Sequence, residues 1–241
     1  MSSEASRSGV ISRVSGYFDD GSFEKELAHR VAFRTESQRA EGLPELHRYI
    51  NEEMIPAFED MGFKCRVFEN PFEGCGPFLL AARHEDDNLP TVLGYGHGDV
   101  IQGLDDQWTK GEGPWVTARD GDKIYGRGTA DNKGQHTINM AAMRAVLKER
   151  GNLGFNAKVL IEMGEENGSK GLREIVAGNK DDFAADVFIG SDGPRVRADR
   201  PTVTLGNRGS EPFDLLVELR EGAHHSGNWR SEEHTSELQS R

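Results

Sequence analysis

The sequence has 241 residues, with 41 acidic and 29 basic side chains and a formal net charge of −12. Its length suits one large domain, or one domain and part of a second. The acidic balance argues against a partner that is nucleic acid or an anionic membrane, because both need a basic face. We expect a reduced, cytoplasmic protein, since there are two cysteines, no signal-peptide pattern and no apolar run near the ~20 residues of a membrane helix.

Two helices are predicted in the first quarter of the chain. Ser22 can cap a helix over Phe23–Phe33. A second helix is predicted over Pro44–Met61, because its apolar residues form one stripe and Gly62 ends it. Pro56 is expected to kink this helix. The stripe consists of Leu46, Tyr49, Ile50, Met54, Ala57, Phe58 and Met61.

Short apolar runs then alternate with helices. Strands are predicted at 63–67, Pro77–Arg83, Thr91–Tyr95, Ala157–Met163 and Val187–Gly190. Helices are predicted over about Lys133–Arg150 and Lys170–Asn179. This order is typical of an α/β protein in which helices flank a mostly parallel sheet. Strict alternation of apolar and polar residues in Thr202–Leu205 and Phe213–Leu219 predicts a different, antiparallel-rich element at the end.

Side chains with metal-ligand chemistry follow the strands of this sheet. Ligands of open α/β sheets bind outside the carboxyl ends of the strands, so these side chains are expected at one edge. One histidine with several carboxylates suits Zn²⁺, Mn²⁺ or Co²⁺, and this many carboxylates suits two ions rather than one. The set consists of His97, Asp99, Asp131, Glu165, Glu166 and Asp192.

Each of these residues has an ordinary structural explanation when taken alone. His97 could be a hydrogen-bonded core histidine, and Glu165-Glu166 a solvated surface pair. Asp192 could form a turn before Gly193, and Asp131-Asn132 could cap a helix. Their joint position at one sheet edge is what favours a metal site.

Five motifs resemble those of one family, in the right order along the chain. They are Gly-His97-Gly-Asp99-Val, Gly126-Arg-Gly-Thr-Ala-Asp131-Asn-Lys-Gly134, Glu165-Glu166-Asn-Gly168-Ser169-Lys-Gly171, Asp192 in Ser-Asp-Gly and His225 in His-Ser-Gly. The family is that of the dinuclear zinc hydrolases, which comprises aminoacylase, carnosine dipeptidase, acetylornithine deacetylase and glutamate carboxypeptidase. The resemblance implies an α/β catalytic domain into which a smaller α+β lid or dimerisation domain is inserted.

The resemblance also implies a ligand set. Asp131 would bridge two zinc ions, His97 and Asp192 would complete the protein ligands of one ion, and Glu166 would bind the other. It further implies that the peptide bond between Asp131 and Asn132 is cis. The family supplies one more ligand, a histidine late in the catalytic domain, which no residue of this sequence matches.

The remaining roles that the resemblance implies concern catalysis. Glu165 would be the general acid/base while a bridging hydroxide attacks an amide or peptide carbonyl of a small N-acyl amino acid or dipeptide. Asp99 would orient His97. His225, on the lid, would reach the site of a partner subunit and stabilise the oxyanion, so we expect a homodimer for the full-length protein.

The domain boundaries follow from the same resemblance. Residues 1–207 are expected to be the N-terminal part of the catalytic domain, and 208–229 the beginning of the lid. Residues 230–241 resemble the translation of a sequencing adapter, so we expect this tail to be non-native and the chain as given to be inactive. Two alternatives remain, a non-catalytic metal-binding relative and a magnesium phosphohydrolase, although magnesium sites seldom recruit histidine.

Overall fold

The computed structural model describes residues 3–193, 196–197, 199–206 and 209. The chain divides into two units, Met1–Arg195 and Val196–Arg241. None of the helices in the described ranges is long and apolar enough to cross a membrane.

The helices and strands of the first unit follow the predicted alternation. Its helices are α1 (Ser3–Asp19), α2 (Ser22–Ala32), α3 (Leu43–Arg48), α4 (Ile55–Glu59), α5 (Lys133–Arg150), α6 (Leu172–Gly178) and α7 (Lys180–Phe183). Its strands are β1 (Lys64–Phe68), β2 (Phe78–Arg83), β3 (Thr91–His97), β4 (Ala118–Asp120), β5 (Lys123–Tyr125), β6 (Asn156–Glu162) and β7 (Val187–Gly190).

The central sheet has the strand order β1-β2-β6-β3-β7. Strand β3 runs parallel to both of its neighbours, β6 and β7, as the sequence predicts. Strands β1 and β2 are antiparallel to each other, and β2 is antiparallel to β6, so the sheet as a whole is mixed. A short connection permits antiparallel pairing of β1 with β2, whereas the parallel pairs need helical crossovers. The expected α/β class, with helices flanking the sheet, is confirmed.

The two faces of the sheet are covered by different parts of the chain. Leu79 and Ile161 lie on one face, in a buried cluster with Tyr49, Phe58 and other residues of the α3–α4 segment. The alternate residues of β2 and β6 lie on the other face, where they pack against Phe183 of α7. The two-residue period of the strands therefore divides the apolar side chains between two cores.

The predicted helix over Pro44–Met61 is broken into three pieces. Helices α3 and α4 are joined by a π-helical segment, Tyr49–Met54. Pro56 follows this segment directly, and the backbone stays helical through the junction, so its missing N–H removes a helical hydrogen-bond donor. The first predicted helix begins at Ser22 itself, and its N-cap is Gly21, which has φ of 79°. The position of both helices is confirmed and the cap is not as predicted, whereas the kink at Pro56 stays a prediction.

Helix α1 and the β4–β5 ribbon were not predicted. Helix α1 has few apolar residues, and an ion pair of 2.7 Å between Arg13 and Glu149 links it to α5. The ribbon lies within the segment expected to be a long loop. The packing of α1 depends on contacts with a distant part of the chain, which local sequence patterns do not encode. The ribbon is a local hairpin with the two-residue connection Gly121-Asp122, a turn signal that is present in the sequence.

The second unit shows less regular structure in its described residues. Arg197 and Arg200 form an isolated antiparallel bridge. The predicted strand Thr202–Leu205 is wrong, because 201–206 form no strand in the described part of the chain. An alternating pattern makes a strand only where a partner strand accepts its hydrogen bonds. The predicted strand Phe213–Leu219 and the expected segments 208–229 and 230–241 lie outside the described residues, apart from Gly209.

A buried arginine links α2 to the α3–α4 segment and to α5. Arg30 of α2 is fully buried. It donates hydrogen bonds to Glu53 Oε1 at 2.8 Å and to Thr137 Oγ1 at 2.6 Å, and it pairs with Glu26 Oε1 at 2.6 Å. Glu26 also accepts a bidentate pair of hydrogen bonds from Arg144 of α5, at 2.8 and 3.1 Å. Burial raises the pKa of Glu26, but the two guanidinium groups outweigh it and lower the pKa from 4.5 to about 2.

This network predicts an acid-dependent loss of stability for Glu26→Gln. The folded pKa lies below the unfolded value, so the carboxylate stabilises the fold above about pH 4.5, and this contribution is lost as pH falls toward 2. We expect Glu26→Gln to lower the free energy of unfolding by about 1–3 kcal/mol at pH 7, measured by urea denaturation.

The matched control for this prediction is Glu24→Gln, on the same helix. Glu24 pairs with Arg119 at the surface, where both side chains are at least 30% exposed. Exposed pairs contribute roughly 0–1 kcal/mol, so the control is expected to be nearly silent. A difference between wild type and Glu26→Gln that is the same at pH 7 and pH 3 would contradict the prediction.

Candidate metal centre

The carboxyl ends of three adjacent strands bring the candidate residues to one edge of the sheet. His97 is the last residue of β3. Glu165 and Glu166 lie on a 3₁₀ turn after β6, and Asp192 follows β7 by two residues. Asp131 precedes α5, whose N-terminus lies beside the end of β3. The expected convergence is therefore present in the structure.

The imidazole of His97 lies at the centre of the cluster. Its side chain is fully buried, and its Nε2 is 2.8 Å from Asp131 Oδ1. The same nitrogen is 3.7 Å from Asp192 Oδ1 and 3.9 Å from Glu165 Oε2. One nitrogen thus faces carboxylates from three separate segments.

Two groups of side chains have ligand atoms close enough together to hold an ion. One consists of His97, Asp131 and Glu166, and the other of His97, Glu165 and Asp192; within each group all ligand atoms lie within 4.8 Å of one another. The resemblance implies a different grouping, in which Asp192 and Asp131 share one ion with His97 and Glu165 binds none. The grouping that the resemblance implies uses four of the five side chains in these two groups, leaving out Glu165.

The buried carboxylate of Asp99 connects His97 to the turn that carries Glu165 and Glu166, which we call the glutamate turn. The Asp99 side chain is fully buried, and its Oδ1 lies 3.3 Å from His97 Nδ1, whose other contact is the Asp99 carbonyl oxygen at 3.0 Å. The same carboxylate accepts the backbone N–H groups of Glu165 and Glu166, each at 3.1 Å. With Nδ1 engaged by Asp99, Nε2 is the nitrogen directed at the other carboxylates.

Asn132 connects the histidine to Asp192. Its side-chain oxygen accepts the His97 backbone N–H at 3.3 Å, and its Nδ2 donates to Asp192 Oδ1 at 2.9 Å and to the Ser191 carbonyl oxygen at 2.8 Å. Asn132 occupies the N-cap of α5 without making a side-chain cap hydrogen bond, so a capping role does not explain it. The Asp131–Asn132 peptide bond is cis, as the resemblance implies.

The cluster holds more negatively charged groups than positively charged ones. Burial raises the pKa of Glu165 and Glu166, and neighbouring carboxylates raise it further. Burial alone would lower the pKa of His97, but the nearby carboxylates of Asp192 and Asp99 raise it to about 11. The nearby imidazole of His97 in turn lowers the pKa of Asp192. This donor set fits a divalent cation, which would neutralise the repulsion among carboxylates that one imidazole leaves largely uncompensated.

A segment that the sequence did not single out braces the two loops of the site. Thr35 Oγ1 donates to the Gly98 carbonyl oxygen at 2.7 Å, and its own carbonyl oxygen accepts the Val100 N–H at 2.9 Å. Gln38 Nε2 donates to the Glu166 carbonyl oxygen at 3.4 Å. These are backbone contacts made by ordinary polar residues, so no residue pattern could have identified them. His225 lies outside the described residues.

The part of the chain that contains the candidate site is similar to known proteins. Residues 93–235 match the sequence profile of peptidase family M20/M25/M40. The chain is 34% identical over 172 residues to the cysteinylglycine-S-conjugate dipeptidase of Corynebacterium striatum, covering 71% of this chain and 37% of that protein. It is 36% identical over 157 residues to the human Beta-Ala-His dipeptidase, covering 64% of this chain and 30% of that protein.

A solved structure gives the same result for the fold. The crystal structure of human carnosine dipeptidase 1 superposes with a TM-score of 0.70 at 28% identity, covering 78% of this chain and 42% of that one. The chain therefore spans between about a third and two fifths of the length of the relatives it matches.

The loop before α5 yields a prediction about Gly134. A Cβ added at this position would overlap the carbonyl oxygen of Thr129, in the loop that carries Asp131. We expect Gly134→Ala to lower the free energy of unfolding by about 1–3 kcal/mol and to weaken zinc binding, because the loop must shift. Thermal unfolding and competition with a chelator measure the two effects.

Gly178→Ala is the matched control. Gly178 also lies in a helix, α6, and a Cβ there meets nothing within 4 Å. Alanine is about 0.5–1 kcal/mol better than glycine inside a helix, so this variant should be neutral or slightly stabilised. Equal zinc affinity in the two variants would show that close packing at Gly134 does not position Asp131.

Proposed function

The chain belongs to peptidase family M20/M25/M40, and from this premise we propose that it forms the metal-binding part of a hydrolase of small amide or peptide substrates. The observation that carries the proposal is the buried imidazole of His97, whose Nε2 faces carboxylates from three other segments. Carboxylates grouped around an imidazole are a donor set of metal-dependent hydrolases.

The ligand roles are proposed for four side chains and two divalent ions. Asp131 would bridge the ions, as the family resemblance implies, and one oxygen of its carboxylate lies 2.8 Å from His97 Nε2. His97 and Asp192 would hold one ion, and Glu166 the other. Zinc is the proposed metal, with Co²⁺ or Mn²⁺ able to replace it, since imidazole with carboxylates suits all three. When bound, the ions polarise the substrate carbonyl and lower the pKa of water at the site.

Glu165 is proposed as the residue that moves the proton. Its backbone N–H is held by Asp99, and its carboxylate lies 3.9 Å from His97 Nε2. The side chain is 36% exposed, so it can meet both water and an entering substrate. In this role Glu165 accepts a proton from the attacking water and delivers it to the leaving amine. Asp99 contributes by holding His97 and the glutamate turn in one arrangement.

The substrate class is proposed from the relatives. Two of them are named as dipeptidases, which favours dipeptides and, by the same amide chemistry, small N-acyl amino acids. We further propose a cytoplasmic homodimer in which His225, on a lid beginning near residue 208, serves the partner's site. Residues 1–207 would then belong to the catalytic domain, and 230–241 would be foreign to it.

The second candidate is a protein that binds metal without turnover. It is favoured by the coverage of the relatives, because the chain spans only 30–37% of the length of those two dipeptidases. A magnesium phosphohydrolase is disfavoured by the central position of His97, since magnesium sites rely on oxygen ligands and water.

Glu165→Gln separates these candidates. Glutamine keeps the size of the side chain but cannot carry the proton, so we expect turnover of dipeptides to fall by at least ~100-fold while zinc stays bound. Zinc content of this chain is measured by native mass spectrometry. Turnover is measured in a protein of the relatives' length that carries this chain.

Glu174→Gln, on the exposed surface of α6, is the control and should change neither quantity. If Glu165→Gln keeps more than about one hundredth of the wild-type rate, Glu165 is not the general base. If the longer protein binds zinc but turns over no amide, the non-catalytic candidate is favoured. Absence of zinc binding in both proteins would exclude the metal site itself.

A further inference from the structure

A second buried carboxylate lies at the end of β6, outside the proposed ligand set. Glu162 is fully buried. Its Oε1 accepts hydrogen bonds from the Tyr95 hydroxyl at 2.6 Å and from Ser169 Oγ at 3.0 Å. Its Oε2 is buried without a hydrogen-bond partner, and Glu162 belongs to neither group of close ligand atoms. A buried carboxylate with one unsatisfied oxygen is costly, so packing alone does not account for it.

The two hydroxyl groups that reach Glu162 come from different parts of the fold. Tyr95 belongs to β3, the strand that pairs directly with β6. Ser169 belongs to the turn that carries Glu165 and Glu166, and its N–H closes this turn by donating to the Gly164 carbonyl oxygen at 2.9 Å. One bond therefore lies within the sheet, and the other ties the glutamate turn to the sheet.

The backbone of Ser169 indicates that this tie matters to the turn. Ser169 has φ of 53°, a left-handed conformation that residues other than glycine seldom adopt. Such a conformation persists where surrounding contacts hold it. The contacts here are the bond to Glu162 and the bond that closes the turn.

We propose that Glu162 is a positioning residue which, through Ser169, holds the far end of the turn so that Glu165 and Glu166 face His97. The proposal rests on the proposed function, because it assigns a purpose to the placement of those two glutamates. Asp99 holds the near end of the same turn through the N–H groups of Glu165 and Glu166. The turn is thus fixed at both ends by buried carboxylates that belong to the sheet edge.

The two hydroxyl groups that donate to Glu162 Oε1 can be removed one at a time, and this tests the proposal. Ser169→Ala and Tyr95→Phe each remove one hydrogen bond to the same oxygen, but only Ser169→Ala releases the turn. We expect Ser169→Ala to weaken zinc binding by about tenfold, the lower end of the range for residues that support metal ligands, and to shift the absorption spectrum of bound Co²⁺. Tyr95→Phe should lower the melting temperature while leaving zinc affinity within about twofold of wild type.

Two further variants keep the test decisive. Ser169→Gly removes the hydroxyl but suits the left-handed backbone, so it should also weaken zinc binding even if Ser169→Ala fails to fold. Glu162→Gln keeps an acceptor oxygen for both hydroxyl groups, so it should retain zinc affinity and the Co²⁺ spectrum, whereas Glu162→Leu should lose them. All variants are made in the 241-residue chain, with zinc affinity measured by competition with a chelator.

The outcomes distinguish this inference from the proposed function. If wild type binds zinc and the Ser169 variants bind it equally well, the inference is overturned while the metal site stands. Equal losses of affinity in Ser169→Ala and Tyr95→Phe would also overturn it, because Glu162 would then act only on the stability of the sheet. If wild type binds no zinc, the proposed function fails and the inference fails with it.

Discussion

The arrangement of the site depends on one buried carboxylate, that of Asp99. Its oxygens meet the His97 imidazole on one side and two backbone N–H groups of the glutamate turn on the other. A carboxylate accepts such bonds from several directions at once, whereas a neutral side chain of the same size accepts fewer. His97 ends β3 and the turn follows β6, which is paired with β3. Because Asp99 bonds to both, it fixes the distance between the imidazole and the two glutamates. Loss of that carboxylate would separate the parts of the site without breaking the sheet.

The concentration of negative charge gives the site its second constraint. Asp131, Asp192 and the two glutamates lie around a single imidazole, and like charges held this close destabilise a folded protein unless a cation joins them. Folding and metal binding are therefore expected to be coupled, since a divalent ion would replace mutual repulsion by attraction. The structure limits this cost by leaving the Asp131 side chain 62% exposed, while it buries His97 and Asp99 completely.

Much of the site could be predicted from the sequence because it depends on strand ends. The apolar runs that became β3, β6 and β7 are short and continuous, and the residues that follow parallel strands meet at one edge, which is how His97 and Asp192 could be placed together. Asn132 could not be found in this way, because its function depends on hydrogen bonds to His97 and Ser191, residues far from it in sequence. The packing of α1 escaped prediction for the same reason, since it depends on tertiary contacts. Alternation failed at Thr202–Leu205 because a pattern of apolar residues does not supply a partner strand.

The supporting contacts form a hierarchy that begins at the end of β3. His97 is fixed directly by the sheet, and Asp131 bonds to its imidazole directly. The two glutamates and Asp192 are attached through buried polar side chains. Asp99 attaches the glutamate turn, and Asn132 attaches Asp192 through a hydrogen bond of 2.9 Å. These attachments are hydrogen bonds, which constrain both the distance and the angle between two groups, whereas apolar packing is non-directional. We expect substitutions of the attaching residues to change metal affinity more than the stability of the fold, because these residues lie at a strand end and a helix start, whereas the two apolar clusters cover the faces of the sheet. One mixed sheet can therefore carry a highly charged site at its strand ends while apolar side chains pack on both of its faces.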